Sequence, residues 1–336
     1  MGHSDTSNDL TNGKTGTAVY SNDKKKPLKY ATPPWHSILA SFTFCSCFFW
    51  SLPTVAQLDR DASVEQFTNI LFPQILPSLW YLFWYRITVA AIIWATSFYL
   101  VFISEGWSQT PSYPRTSKLI VREIHLRGIK TMFPFTSVSW NLLGLSFSLN
   151  AYITHQTIHG YDVEPRLLRL ALLLWECVAP FTFLVASVIR FVIWPKVLAV
   201  GGDSSNLKHW RNKLMHNANV WFALSETALA SGLATNPSHV GIAPLVGFVY
   251  VFFSWSVANT WVEHAKYGPQ FIYFFLDTTL PGGRPTFALL SLLVTLMVFY
   301  GLFSAADIVL QHLGGRLWAH LLVAGLLGSS VCRFRD

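Results

Sequence analysis

Residues 78–104 read SLWYLFWYRITVAAIIWATSFYLVFIS, and Arg86 is the one Asp, Glu, Lys or Arg among them. At 1.5 Å per residue, a helix over this stretch is about 40 Å long. The hydrocarbon core of a bilayer is roughly 30 Å thick. A helix that is apolar all round belongs in lipid or in the centre of a large core. The rest of the chain decides between the two. Comparable stretches recur at about 35–56, 133–154, 167–195, 214–233, 239–261 and 285–310. The pattern predicts an all-α fold, a polytopic transmembrane helix bundle of about seven spans, with six to eight inside the tolerance of the length criterion.

Working outward, residues 1–33 are polar and run into KKKPLKYATPP (24–34). They offer no apolar face to bury and are read as a disordered cytoplasmic tail, too polar for a conventional cleaved signal peptide. Residues 34–310 hold the bundle. The stretch RLWAHLLVAGLLGSSV (316–331) falls short of a full span, so 311–336 is read as a C-terminal interfacial segment.

Only 12% of the 336 residues are Asp, Glu, Lys or Arg, about half the share in an ordinary soluble domain. The 14 Trp suit rings anchored at membrane interfaces. The net charge of +7 is explained by where the cations fall. Lys14, Lys24, Lys25, Lys26 and Lys29 lie in the tail. Arg115, Lys118, Arg122, Arg127 and Lys130 lie in the loop at about 105–132, and Lys196, Lys208, Arg211 and Lys213 in that at about 196–213. The intervening connections carry little beyond Arg60. Seven spans put every basic loop on one side, which the positive-inside rule identifies as the cytoplasm. The reading is an integral membrane protein with a cytoplasmic N-terminus and membrane lipid, not nucleic acid, as its surroundings.

Cys45, Cys47, Cys177 and Cys332 form no disulfide framework and no zinc spacing. Phosphate-binding glycine loops and a Gly-x-Ser-x-Gly elbow are absent. His155 and His159 have a metal-like spacing, but no second such pair accompanies them. No cofactor and no metal are expected.

Ionisable groups at membrane depth are costly unless paired or hydrated. Arg86, Glu176 and Glu226 each fall inside an apolar stretch, at similar depth by residue count. They are read as a structural ion cluster tying three helices. Two polar stripes accompany it. In LMHNANVWFALSETAL (214–229), His216, Asn219 and Glu226 fall within about 100° at 100° per residue. In FPFTSVSWNLLGLSFSLNAY (133–152), Thr136, Ser139, Ser146 and Asn150 fall within about 80°. Both helices start from the basic side, so Thr136 and His216 come to one level. A hydroxyl beside an imidazole is the minimal pair for nucleophilic catalysis. The same stripes also suit interhelical hydrogen bonding alone.

The order of LWYLFWYR, FPFTSVSWNLLGLSFSLNAY, HNANVWFALSE, GFVYVFFSW and YGPQFIYFFLDTTLP over about residues 78–281 resembles the androgen-induced protein and rolling-stone superfamily. The resemblance implies Thr136 as a nucleophile with His216 as its partner. It implies hydrolysis of lipid esters, notably fatty acid esters of hydroxy fatty acids. Asn219, Ser139 and Asp277 are the accompanying candidates for substrate binding, and Tyr273 approaches from the same connection as Asp277. The run TSVSW departs from a more compact pattern, and a shift by one hydroxyl would make Ser137 or Ser139 the reacting group. Rolling-stone proteins imply the alternative, a non-catalytic membrane protein acting in membrane contact, fusion or scaffolding. Asp277 before TTLP also suits a plain turn cap.

Overall fold

A computed structural model describes residues 25–111, 113–199 and 204–335. The chain runs through α1 (Trp35–Trp50), α2 (Val55–Asp61), α3 (Val64–Thr68), α4 (Leu79–Ile103), α5 (Phe135–Ile158) and α6 (Pro165–Ala199). It continues through α7 (210–230), α8 (Ile242–Ser256), α9 (Arg284–Leu313) and α10 (Leu317–Val331). Four helical stretches are long and apolar enough to cross a membrane: α4, α6, Pro237–Ser256 and α9. A fifth is added if α1 and α2, bent by 63°, count as one. The bend follows from Pro53 and from Thr54, whose side chain accepts the Gln57 N–H while Gln57 Oε1 accepts the Thr54 N–H, starting a new helix. The 24-residue α5 is long enough but carries too many Ser, Thr and Asn to match the other four in hydropathy.

Helices α4, α5, α6 and α7 enclose the main core. Trp140, Phe147, Trp175 and Phe181 are fully buried there. Gly144 lets α5 approach α4, because a Cβ at that position would sit 2.6 Å from Ile93 Cγ2. Outward-facing Trp80, Tyr81 and Trp84 at one end of α4 and Phe98 and Phe102 at the other leave a large apolar band exposed, which suits lipid.

Three segments go beyond the sequence reading. The loop after α4 is not wholly irregular: β1 (Trp107–Gln109) and β2 (Ile124–Leu126) pair antiparallel, Trp107 opposite Leu126. Ile124 and Leu126 are apolar enough to bury under Trp261 and Ile272, which holds the pair in place. Second, the C-terminal segment holds helix α10, which packs on α7 and α9. Its small residues allow this, since a Cβ on Gly328 would strike the Trp221 ring at 2.6–2.9 Å. Arg190 caps its C-terminal end by donating to the Cys332 carbonyl at 2.6 Å and to that of Ser329.

The third of these is at the N-terminus. The expected disordered tail lies outside the described residues up to residue 24, but residues 25–34 form an extended strap. Lys25 donates to the carbonyls of Ser117 (2.9 Å) and Leu119 (3.1 Å). His264 Nε2 donates to the Lys29 carbonyl and Thr278 Oγ1 to that of Ala31. Leu28 and Ala31 pack beside Tyr113, Leu119 and Phe271, so two apolar residues among the lysines anchor what composition alone reads as tail.

Candidate active site

Helix α5 starts at Phe135 because Pro134 (φ −57°, ψ 143°) precedes it in extended backbone. The first-turn amides have no acceptor earlier in the helix. Thr136 stands among them, partly exposed, while the neighbouring Ser137 is buried and donates to the Thr131 carbonyl at 2.7 Å. Phe135 is wedged against the rings of Phe181 and Tyr250, which fixes where this turn sits.

His216 comes from α7, which is α-helical in part but opens into π turns at Leu214–Ala218 and Glu226–Ala230. Such turns insert an extra residue and re-aim side chains. His216 Nδ1 lies 2.8 Å from the Asn212 carbonyl and so is the N–H donor. In the neutral ring this leaves Nε2 with a lone pair. That lone pair faces Thr136 Oγ1 at 3.4 Å. On its other side the same turn is clamped, as Asn217 Nδ2 donates to the Arg333 carbonyl at 2.7 Å and Oδ1 accepts the Arg333 N–H.

The third member is Tyr273. Its hydroxyl lies close enough to the Thr136 side chain and to the Phe135 and Thr136 backbone to interact with them electrostatically. Burial pushes the phenol above its ordinary range, so it remains an O–H donor near neutral pH. The loop that carries it is pinned from several sides. Tyr113 hydroxyl donates to the Phe271 carbonyl at 3.0 Å and accepts the Phe271 N–H at 2.6 Å. Gln109 Nε2 donates to the Ile272 carbonyl, and Trp255 Nε1 to that of Leu276.

The remaining sequence candidates fall elsewhere. Asn219 is buried, and its Oδ1 accepts the Val220 N–H at 2.8 Å rather than turning to Thr136. Ser139 is buried one turn into α5 with no partner for its hydroxyl. Asp277 Oδ1 accepts from the Thr279 N–H and hydroxyl at 2.8 and 2.7 Å, the turn cap that its sequence context suits. An apolar groove of about 830 Å³ between α4 and α5, lined by Trp94, Phe98, Met132 and Asn141, lies on another flank of α5 from Thr136.

The expected ion cluster divides in two. Arg86 is fully buried and pairs with Glu226 through Nε (3.1 Å) and Nη2. Its Nη1 donates to the carbonyls of Phe67 (2.7 Å) and Asn150 (3.1 Å) and to Thr154 Oγ1 (2.6 Å). Glu176 is not part of this set. It accepts from His239 Nδ1 at 2.9 Å and from the Asn236 N–H at 2.9 Å. Asp61 Oδ2 faces His239 Nε2 at 3.2 Å, off the ideal hydrogen-bond line, and accepts from Asn236 Nδ2. The reason is the α7–α8 connection, which dips inward: Ser231, Leu233, Thr235 and His239 are all buried. Residue counting along straight helices puts His239 at the rim, away from Glu176. Among the described residues no group of three His, Cys, Asp or Glu is arranged to hold a metal ion.

What this geometry can do is limited and specific. Thr136 Oγ1 has a base at one side and, at the other, a phenol beside the helix amides, where a developing negative charge would be received. No family model, no curated protein and no solved structure matches the chain.

Proposed function

We propose that the chain is a membrane-embedded threonine hydrolase of lipid esters, with Thr136 as nucleophile and His216 as base. The observation that carries this reading is the 3.4 Å approach of Thr136 Oγ1 to His216 Nε2, between residues 80 apart, with Nε2 left as the acceptor. Catalytic hydrogen bonds of this kind are often long before substrate arrives and tighten afterwards. The motif order that resembles the androgen-induced proteins supports the choice of Thr136, and fatty acid esters of hydroxy fatty acids are the substrate class that goes with it. The topology that goes with it is about seven spans with the N-terminus in the cytoplasm, which brings the pair to the leaflet faced by the basic loops.

In the reaction, Thr136 Oγ1 attacks the ester carbonyl carbon while its proton passes to His216 Nε2. The Tyr273 hydroxyl and the first amides of α5 receive the oxyanion. Collapse breaks the carbon–oxygen bond to the alcohol, which leaves with the proton from His216. Water then attacks the acyl-threonine with His216 again taking a proton. The second collapse releases the carboxylic acid, and the proton returns to Thr136.

A second reading is a non-catalytic protein of the rolling-stone kind. It is favoured by the Tyr273 hydroxyl itself, which is buried beside the start of α5 as a helix tie would be. Labelling with a fluorophosphonate probe, followed by peptide mapping, separates the two. Modification of Thr136 that is lost in Thr136→Ala and His216→Ala, all three proteins folded, supports the hydrolase. Well-folded wild type that takes up no label favours the second reading. Label on Ser137 or Ser139 would move the nucleophile.

A further inference from the structure

Helix α5 treats its hydroxyls in two ways. Ser148, Thr154 and Thr157 each fold back on a carbonyl four residues earlier, at 2.8, 2.7 and 3.0 Å. That is the ordinary way for a buried helix to satisfy such groups. Ser139 and Ser146 do not. They are 1% and 0% exposed, and neither hydroxyl has a protein partner. Asn150, also 0% exposed, leaves both Oδ1 and Nδ2 without one. These three residues share one stripe, at about 300°, 280° and 320° from Thr136 on the helical wheel. The orphaned groups are therefore not scattered. They run along a single side of α5, beginning one turn after Thr136.

The far end of the stripe has a matching feature. Arg86 binds the Asn150 carbonyl and also Glu226, so Asn150 and Glu226 are neighbours across one guanidinium. Glu226 uses Oε1 for Arg86 and for the Ser231 hydroxyl, while Oε2 is buried with no partner. Buried polar atoms of this kind are ordinarily satisfied by internal water. From Thr136 to Asn150 the helix rises about 21 Å, and Leu143 is the apolar interruption between Ser139 and Ser146.

We propose that this stripe holds a file of water molecules running from Glu226 along α5 to the Thr136–His216 pair. The use we assign to it rests on the hydrolase reading: a site set among apolar helices still consumes one water per turnover, and the file supplies it. The incoming water forms the bond to the acyl carbon as the Thr136 ester bond breaks. Its proton goes to His216 Nε2 and then to Thr136 Oγ1, so nothing beyond water enters. Ser139, Ser146 and Asn150 are positioning residues here, since they touch the water and not the ester.

The test is X-ray hydroxyl-radical footprinting of the full-length protein in nanodiscs, where radicals born from bound water oxidise the side chains beside it. Ser146→Cys is compared with Leu145→Cys, whose side chain is exposed and lies about 100° round α5 from the stripe. The file predicts oxidation of Ser146→Cys at least about tenfold faster than of Leu145→Cys. Equal or slower oxidation at 146 in folded protein overturns it. A second variant, Ser146→Val, tests use: phosphonylation of Thr136 by the fluorophosphonate probe stays at the wild-type rate, while release of acid from the acyl-threonine formed with an ester substrate slows about tenfold or more. Unchanged release would remove the file from the reaction. Footprinting at 146 without any labelling of Thr136 would sink the hydrolase and leave the file standing. Labelling of Thr136 with a dry 146 would do the reverse.

Discussion

The Arg86 cage and the Thr136–His216 pair are both polar arrangements set between the same helices, yet they are built in opposite ways. The guanidinium of Arg86 meets a carboxylate, two carbonyls and a hydroxyl, and the residue has no exposure at all. Thr136 is partly exposed, and its contact to His216 is long. A fully partnered guanidinium holds helices together because removing it or its carboxylate strands a buried charge. A set with a free lone pair and an accessible hydroxyl holds little and retains the capacity to react. The difference teaches which cluster to suspect of chemistry, and it points away from the more heavily charged one.

That contrast can be broken most directly at the pair. Thr136→Ala and His216→Ala are each expected to cut probe labelling about a thousandfold or more while shifting the thermal midpoint by no more than a few degrees. A large loss of stability in either would put the pair in the same class as the cage. Arg86→Ala is the converse. It leaves Glu226 buried and unpaired, and is expected to cost about 3–5 kcal/mol in reversible unfolding in detergent. A variant with unaltered stability would mean that the cage is not what ties α3, α4, α5 and α7 together.

Smaller effects sharpen the comparison. Tyr273→Phe removes one donor at the start of α5, and its labelling rate is expected to fall about tenfold to a hundredfold with a stability loss of about 1 kcal/mol. If Tyr273 is only a tie, the rate holds and stability alone falls. Glu176→Gln keeps an acceptor for His239 but not its charge, and is expected to cost about 1–3 kcal/mol with labelling untouched. Lys25→Ala is expected to change stability by under about 1 kcal/mol, detectable as faster proteolysis within residues 25–34.

The helical class of the fold is legible from the chain because long apolar runs satisfy their own backbone only as helices, and four or five of the about seven runs form helices long and apolar enough to cross a membrane. The meeting of Thr136 with His216 was legible too, since both open helices that start beside basic loops. Glu176 was misassigned for a definite reason. Counting depth along straight helices assumes that connections stay at the rim, whereas residues 231–239 fold inward and bring His239 down to it. The stripe on α7 was drawn at 100° per residue, and the two π turns that carry His216 and Glu226 break that spacing. Nothing in local sequence announces such turns. The strap was hidden by the lysines around it, because composition averages away the two residues, Leu28 and Ala31, that anchor it.

The strap carries a practical consequence. Lys25, Lys29 and Ala31 are fastened to Ser117, Leu119, His264 and Thr278, and Thr278 lies five residues after the tyrosine that touches Thr136. A load applied at residue 25 therefore acts on the connection that carries Tyr273 and Thr278. The C-terminus is held at Asn217 beside His216 in much the same way. Both ends of the described chain are thus fastened beside one place.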